Sequence, residues 1–211
     1  MFEYTTIRCV LPVDTPHGRA NVHLHQAERP RGVLVLGHGA GGGGVESPDL
    51  AAATEAALAE DVTVALVEQP YRVAGRRSPA PASHLDAAWS TVLDHLRDGE
   101  LSGPPLVVGG RSLGARVACR TAETAGAVGV LCLAFPLQPR RRSGTPPPSR
   151  LPELDAVTVP MLVVQGASDP FGMPPGTALR TVAQVPGTHS LRSSLDEVAA
   201  AVRAWLPSVL P

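Results

Sequence analysis

Three residues far apart in the chain, Ser112, Asp169 and His189, carry an alcohol, a carboxylate and an imidazole. Together these groups can transfer an acyl group through a covalent intermediate. The imidazole takes the alcohol proton as the oxygen attacks a carbonyl, then hands it to the leaving group. The carboxylate orients the ring and offsets its developing charge. Ser112 has the most specific surroundings of the three. It lies in Gly110-Arg111-Ser112-Leu113-Gly114, directly after the apolar run Leu106-Val107-Val108. That is the G-x-S-x-G pattern of a nucleophile elbow, in which a strand reverses sharply into a helix. Side chains two before and two after the serine would meet the crossing backbone, so glycine suits both places. A plainer use of the same serine is to cap an ordinary helix.

A second glycine cluster, Gly37-His38-Gly39-Ala40-Gly41-Gly42-Gly43-Gly44, follows the apolar run Val33-Leu34-Val35-Leu36. Acyl transfer needs two backbone N–H groups facing the oxyanion, one of them from a loop after an earlier strand. The expected donors are the N–H of Leu113 and that of Ala40, with Gly41 as the substitute. His38 is expected to brace the loop. The cluster also fits G-x-G-x-x-G, and Glu68 stands at the end of the next predicted strand, as in a dinucleotide site. The placement of the next helix weighs against that use. Ser47-Pro48-Asp49 reads as its start, several residues after the glycines, whereas a pyrophosphate needs the helix to open at them.

Strand-like runs alternate with helical patterns along most of the chain. Strands are predicted at residues 2–10, 20–26, 32–36, 62–67, 106–108, 128–135, 161–166 and 181–185. Helices are predicted at 49–60, 82–98, after Ser112, and at 193–206. Pro16-His17-Gly18 reads as a turn, 69–77 as a loop, and 136–150, with its arginine and proline runs, as an extended loop. The alternation predicts an α/β fold: a mostly parallel twisted sheet with helices on both faces and no large lid domain. The 211 residues are expected to form a single domain, 1–211. In such sheets, sites lie at the carboxyl ends of strands. Ser112, Asp169 and His189 each follow a different predicted strand end.

Composition excludes several other classes. The net charge of −1 argues against a nucleic-acid binder. No apolar run is long enough to cross a membrane. Aromatic residues are only 3%, so the core must be mainly aliphatic. Cys9, Cys119 and Cys132 sit in apolar contexts and read as reduced, buried thiols of a cytoplasmic protein. No spacing of cysteine and histidine suits a metal, and the chemistry calls for no cofactor. His23 and His25 share a strand face and read as solvated.

Several segments together resemble the compact α/β-hydrolases akin to testis-expressed protein 30, a group related to the dienelactone hydrolases. They are His38-Gly39-Ala40-Gly41-Gly42, Gly109-Gly110-Arg111-Ser112-Leu113-Gly114-Ala115-Arg116, Gln165-Gly166 with Asp169-Pro170-Phe171-Gly172, and Gly187 with His189-Ser190. The likeness spans residues 32 to 206. It implies an α/β-hydrolase fold and a serine-hydrolase triad taken in the order Ser, Asp, His. Dienelactone hydrolases carry cysteine at the apex where this chain has Ser112. Dehalogenases and epoxide hydrolases of this fold need aspartate there. Relatives without activity also exist, so an interaction module with a vestigial site is the second reading. The expected substrate is a small soluble ester or thioester. Arg111, Arg72 and Arg140 fall at the carboxyl-end rim and are candidates for binding an anionic substrate, although Arg111 has the alternative of bracing a loop.

Overall fold

A computed structural model describes residues 7–41, 43–139 and 147–210. Among the described residues, eight strands form one sheet: β1 (Ile7–Thr15), β2 (Gly18–Gln26), β3 (Gly32–Gly37), β4 (Val62–Glu68), β5 (Leu106–Arg111), β6 (Gly129–Leu133), β7 (Met161–Gly166) and β8 (Arg180–Val185). Their order across the sheet is β1-β2-β4-β3-β5-β6-β7-β8. β1 and β2 are antiparallel, as are β2 and β4, and every other neighbouring pair is parallel.

The inner parallel strands are mostly buried and apolar because helices cover both of their faces, whereas β8, at the sheet edge, is partly exposed. The helices are α1 (Pro48–Leu58), α2 (Pro70–Val73), α3 (Ala82–Asp98), α4 (Leu113–Thr121), α5 (Leu151–Asp155) and α6 (Leu195–Trp205). One core layer packs Leu50, Ala53 and Ala57 of α1 and Val198 and Val202 of α6 under the sheet. The other packs Leu85, Trp89 and Leu93 of α3 with Ala115, Val117 and Ala118 of α4. From β3 the chain passes through α1 to β4 on one side, and β5 is laid down on the other. Strand order therefore reverses at β3, and the crevice so opened lies between the loops after β3 and β5.

The α/β architecture, the sheet and the long helix at 82–98 match the expectation, but several boundaries move. The first hairpin is tighter: β1 runs on to Thr15 and β2 starts at Gly18, leaving Pro16 and His17 as its turn. The predicted residues 2–6 lie outside the described residues. The presumed loop at 69–77 contains α2, a single turn that opens on Pro70. The strand predicted to Phe135 stops at Leu133, because Ala134 turns the chain at φ +53°. In the 136–150 loop, residues 140–146 lie outside the described residues, and α5 follows it. The connection from β6 to β7 is too short for a lid domain. Cys119 and Cys132 are buried with their sulfurs 3.6 Å apart, but Cys9 is exposed on the edge strand rather than buried.

Candidate active site

The steric rule behind the elbow is visible in the backbone. β3 and β5 are neighbours, with Gly37 opposite Gly110. A Cβ on either Gly110 or Gly114 would run into the Gly37 carbonyl, and one on Gly114 would stand 2.9 Å from Gly37 Cα. With both positions bare, α4 can start directly over the end of β3. Ser112 at the apex is held at φ +52°, ψ −100°, a conformation costly for any residue with a side chain. It occupies the N-cap position of α4, yet its side chain makes no capping hydrogen bond. Its Oγ–H instead donates to His189 Nε2 at 2.9 Å. That separates this turn from an ordinary capped helix.

His189 and Asp169 come from the loops after β8 and β7, which are adjacent. His189 Nδ1–H donates to Asp169 Oδ2 at 2.8 Å. The carboxylate can only accept, so the proton sits on Nδ1 and leaves Nε2 free to accept from Ser112. The Asp169 side chain is almost fully buried, and the His189 side chain is 18% exposed. Phe171 lies tilted against the imidazole, with ring centroids 4.5 Å apart. The structure thus joins all three residues in one hydrogen-bonded relay, oriented to withdraw a proton from an alcohol.

Gln165, at the end of β7, was quoted in the sequence motif without a role, and it fixes the acid. The two hydrogens of its Nε2 are shared among Asp169 Oδ2 at 2.8 Å, Gly172 O at 2.9 Å and Phe135 O at 3.0 Å. Phe171 N–H donates to the other carboxylate oxygen at 2.9 Å. A fully buried glutamine at the carboxyl end of a strand, four residues before an acid, is the signal that could have marked it.

The glycine loop after β3 is held from below by His38. Its Nδ1–H donates to Gly39 O at 2.8 Å, and its Nε2 accepts from Gln69 N–H at 3.1 Å. The second bond requires the neutral ring, because a protonated Nε2 cannot accept. Burial also pushes the His38 pKa below the usual imidazole value, outweighing the Gly39 hydrogen bond. Ala40 and Gly41 follow on this braced segment. Leu113 is the first residue of α4, where the helix has N–H groups without intrahelical acceptors.

Two of the three arginines expected to bind substrate are engaged by the scaffold. Arg111 Nε donates to Asp49 Oδ2 at 2.8 Å, and its Nη2 donates to His189 O at 3.3 Å. Asp49 is fully buried in the first turn of α1, so the pair is an internal brace. The same guanidinium lies under the glycine loop, with Nη1 at 2.7 Å from where a Gly39 Cβ would stand. Arg111 therefore ties together α1, the glycine loop and the His189 loop. Arg72 Nη2 donates to Gly41 O at 3.0 Å and steadies the same loop from α2. Arg140 lies outside the described residues. The dinucleotide alternative also lapses: α1 opens at Pro48, after the one-turn 3-10 helix Gly44–Glu46, and Glu68 accepts from Asn21 Nδ2 at 3.3 Å. Among the described residues no cluster of three or more His, Cys, Asp or Glu could hold a metal.

The fold and this relay belong to a well-defined class. Residues 30–193 match the family model described as "Alpha/beta hydrolase domain", and the chain is a member of that family. No protein of curated function matches the sequence. Among solved structures, the chain is similar to a serine hydrolase without a lid from Xanthomonas campestris. The TM-score is 0.77 at 19% identity, over 97% of this chain and 95% of the other. It is also similar to a dienelactone hydrolase from Anabaena variabilis, with TM-score 0.77 and 15% identity over 98% and 99% of the two chains. A third is Est1E from Butyrivibrio proteoclasticus with ferulic acid bound, with TM-score 0.75 and 15% identity over 94% and 98%. At these identities the likeness concerns the fold.

Proposed function

We propose that this α/β hydrolase is a serine esterase or thioesterase working through an acyl-enzyme, with Ser112 as nucleophile, His189 as general base and Asp169 as its orienting acid. The observation that carries the reading is the Ser112 hydroxyl, turned away from its own helix and onto His189 Nε2 at 2.9 Å. As Ser112 Oγ attacks the substrate carbonyl, its proton passes to Nε2. Asp169 stays ionised and faces the imidazolium that forms. The tetrahedral oxyanion is received by the N–H groups of Leu113 and Ala40, with Gly41 able to substitute. A donor of this kind is worth about 3–4 kcal/mol in the transition state. His189 then protonates the leaving group, and a water, deprotonated by the same ring, releases the acid.

The short β6–β7 connection favours an open site and a small soluble ester. Because Arg72 and Arg111 serve the scaffold, the reading does not call for a charged substrate. We further place the chain with the compact hydrolases akin to testis-expressed protein 30, on the motifs quoted above. The free thiols of Cys119 and Cys132, 3.6 Å apart, suit a reducing compartment such as the cytoplasm. Among the described residues no helix is long and apolar enough to cross a membrane.

The test is covalent labelling with a fluorophosphonate, read by intact mass and peptide mapping. One adduct on Ser112 is expected in the wild type, and none in Ser112→Ala. A folded wild type that takes no label would overturn the proposal and favour the interaction-module reading.

A further inference from the structure

A separate cleft lies between the β1–β2 turn, α2 and the start of α3. It encloses about 430 Å³. That volume is within the range of small-molecule pockets. Pro70, Tyr71 and Leu85 give it an apolar floor, whereas His17, Arg19, Arg76 and His84 line it with basic groups. Among the described residues, no aspartate or glutamate lines it. The His17 and His84 rings stack face to face, with centroids 3.9 Å apart and planes 8° from parallel. They join the hairpin turn to the first turn of α3 through a flat aromatic wall.

The charges in this cleft are only partly spent. Arg19 is paired with Asp14 at 3.0 Å, but both side chains are largely exposed, so the pair is weak. Arg76 makes no ion pair among the described residues. The helix α3, 17 residues long, begins beside the cleft without a side-chain cap, which adds the positive end of its dipole. Beneath the floor, Gln69 Oε1 and Tyr71 OH are buried with no hydrogen-bond partner among the described residues.

The geometry points to a second ligand site here, apart from Ser112, for a small carboxylate on a flat apolar body. The carboxylate is met by Arg76, His84 and the helix end. The body lies on the floor and against the stacked imidazoles. A bare inorganic anion would satisfy the charge but leave the floor empty. The same segment that forms the wall also holds the glycine loop, since Gln69 N–H binds His38 and Arg72 binds Gly41 O. The site does not depend on catalysis at Ser112.

The probe is benzoate, with uncharged benzamide and inorganic phosphate as controls, titrated against the full chain and its Ser112→Ala variant. Binding is followed by NMR of the histidine rings. Benzoate is expected to move the His17 and His84 signals and leave those of His189 in place. It should bind about tenfold tighter than benzamide, as one charge-assisted contact implies, and more tightly than phosphate. Added salt should narrow the gap. Arg76→Gln, at an exposed position, should weaken benzoate several-fold and leave benzamide unchanged, whereas His84→Gln, which also removes half of the aromatic wall, should weaken both. Equal binding of benzoate and benzamide would overturn the inference, as would shifts confined to His189 or indifference to both substitutions. Those results would not touch the fluorophosphonate test, so the two readings stand or fall separately.

Discussion

Replacing Gln165 by methionine tests whether the relay depends on a glutamine that touches neither the nucleophile nor the base. The substitution keeps the volume and removes both amide hydrogens. Asp169 Oδ2 loses its 2.8 Å donor and keeps only His189, while Oδ1 keeps Phe171 N–H. A hydrogen bond to a charged group is worth about 1.5–3 kcal/mol. If that amount is felt when the imidazolium forms, kcat falls by about 10- to 100-fold. KM should stay near its starting value, because the amide does not face substrate. Phe135 O and Gly172 O lose the same donor, so the fold should also weaken, by roughly 2–4 kcal/mol in all. For a chain of this length that lowers Tm by roughly 5–15 °C. The assay is steady-state hydrolysis of a p-nitrophenyl ester well below the variant's Tm, with folding checked by circular dichroism. A folded variant with unchanged kcat, or one whose loss is all in KM, would refute the reasoning.

Ser112→Ala and His189→Ala should each reduce turnover by several orders of magnitude while leaving the fold intact, measured on the same ester. Arg111→Met strands the buried Asp49 carboxylate and should cost about 3–5 kcal/mol in denaturant unfolding; adding Asp49→Leu to it should recover part of that loss. His38 makes stability depend on pH. Its folded-state pKa is lowered by burial, so its contribution is fully present above the unfolded value of about 6.5 and is lost as pH falls towards the folded one. Denaturant midpoints should fall over that interval, and more shallowly in His38→Gln. Gly114→Ala drives a methyl into the Gly37 backbone and should yield little folded protein, judged by near-ultraviolet circular dichroism.

Much of the scaffold was legible because its causes are local. Continuous apolar runs mark strands covered on both faces, and β7 lies where its run predicted it. The pattern through Leu85, Trp89, Val92 and Leu96 marks one helical face, and α3 has the predicted bounds. The spacing of Gly110, Ser112 and Gly114 encodes a close approach of backbones, and the order of Ser112, Asp169 and His189 follows from the order of strand ends. α2 and α5 escaped because single turns leave no periodic trace and are held by packing.

What only the tertiary structure decided is how side chains distant in sequence choose among partners. Ser112 is equally suited to cap α4 or to face an imidazole, and the meeting of the β5 and β8 loops makes the choice. Arg111 carries the same charge whether it binds substrate or a buried acid. Asp49, 62 positions away, takes it because α1 packs beside the elbow. Gln165 is polar in an apolar strand and reads as a misfit until the Asp169 carboxylate folds back over it. Strand and helix follow from the sterics and periodicity of neighbouring residues, whereas these pairings arise only where loops from separate strands are brought within hydrogen-bonding distance.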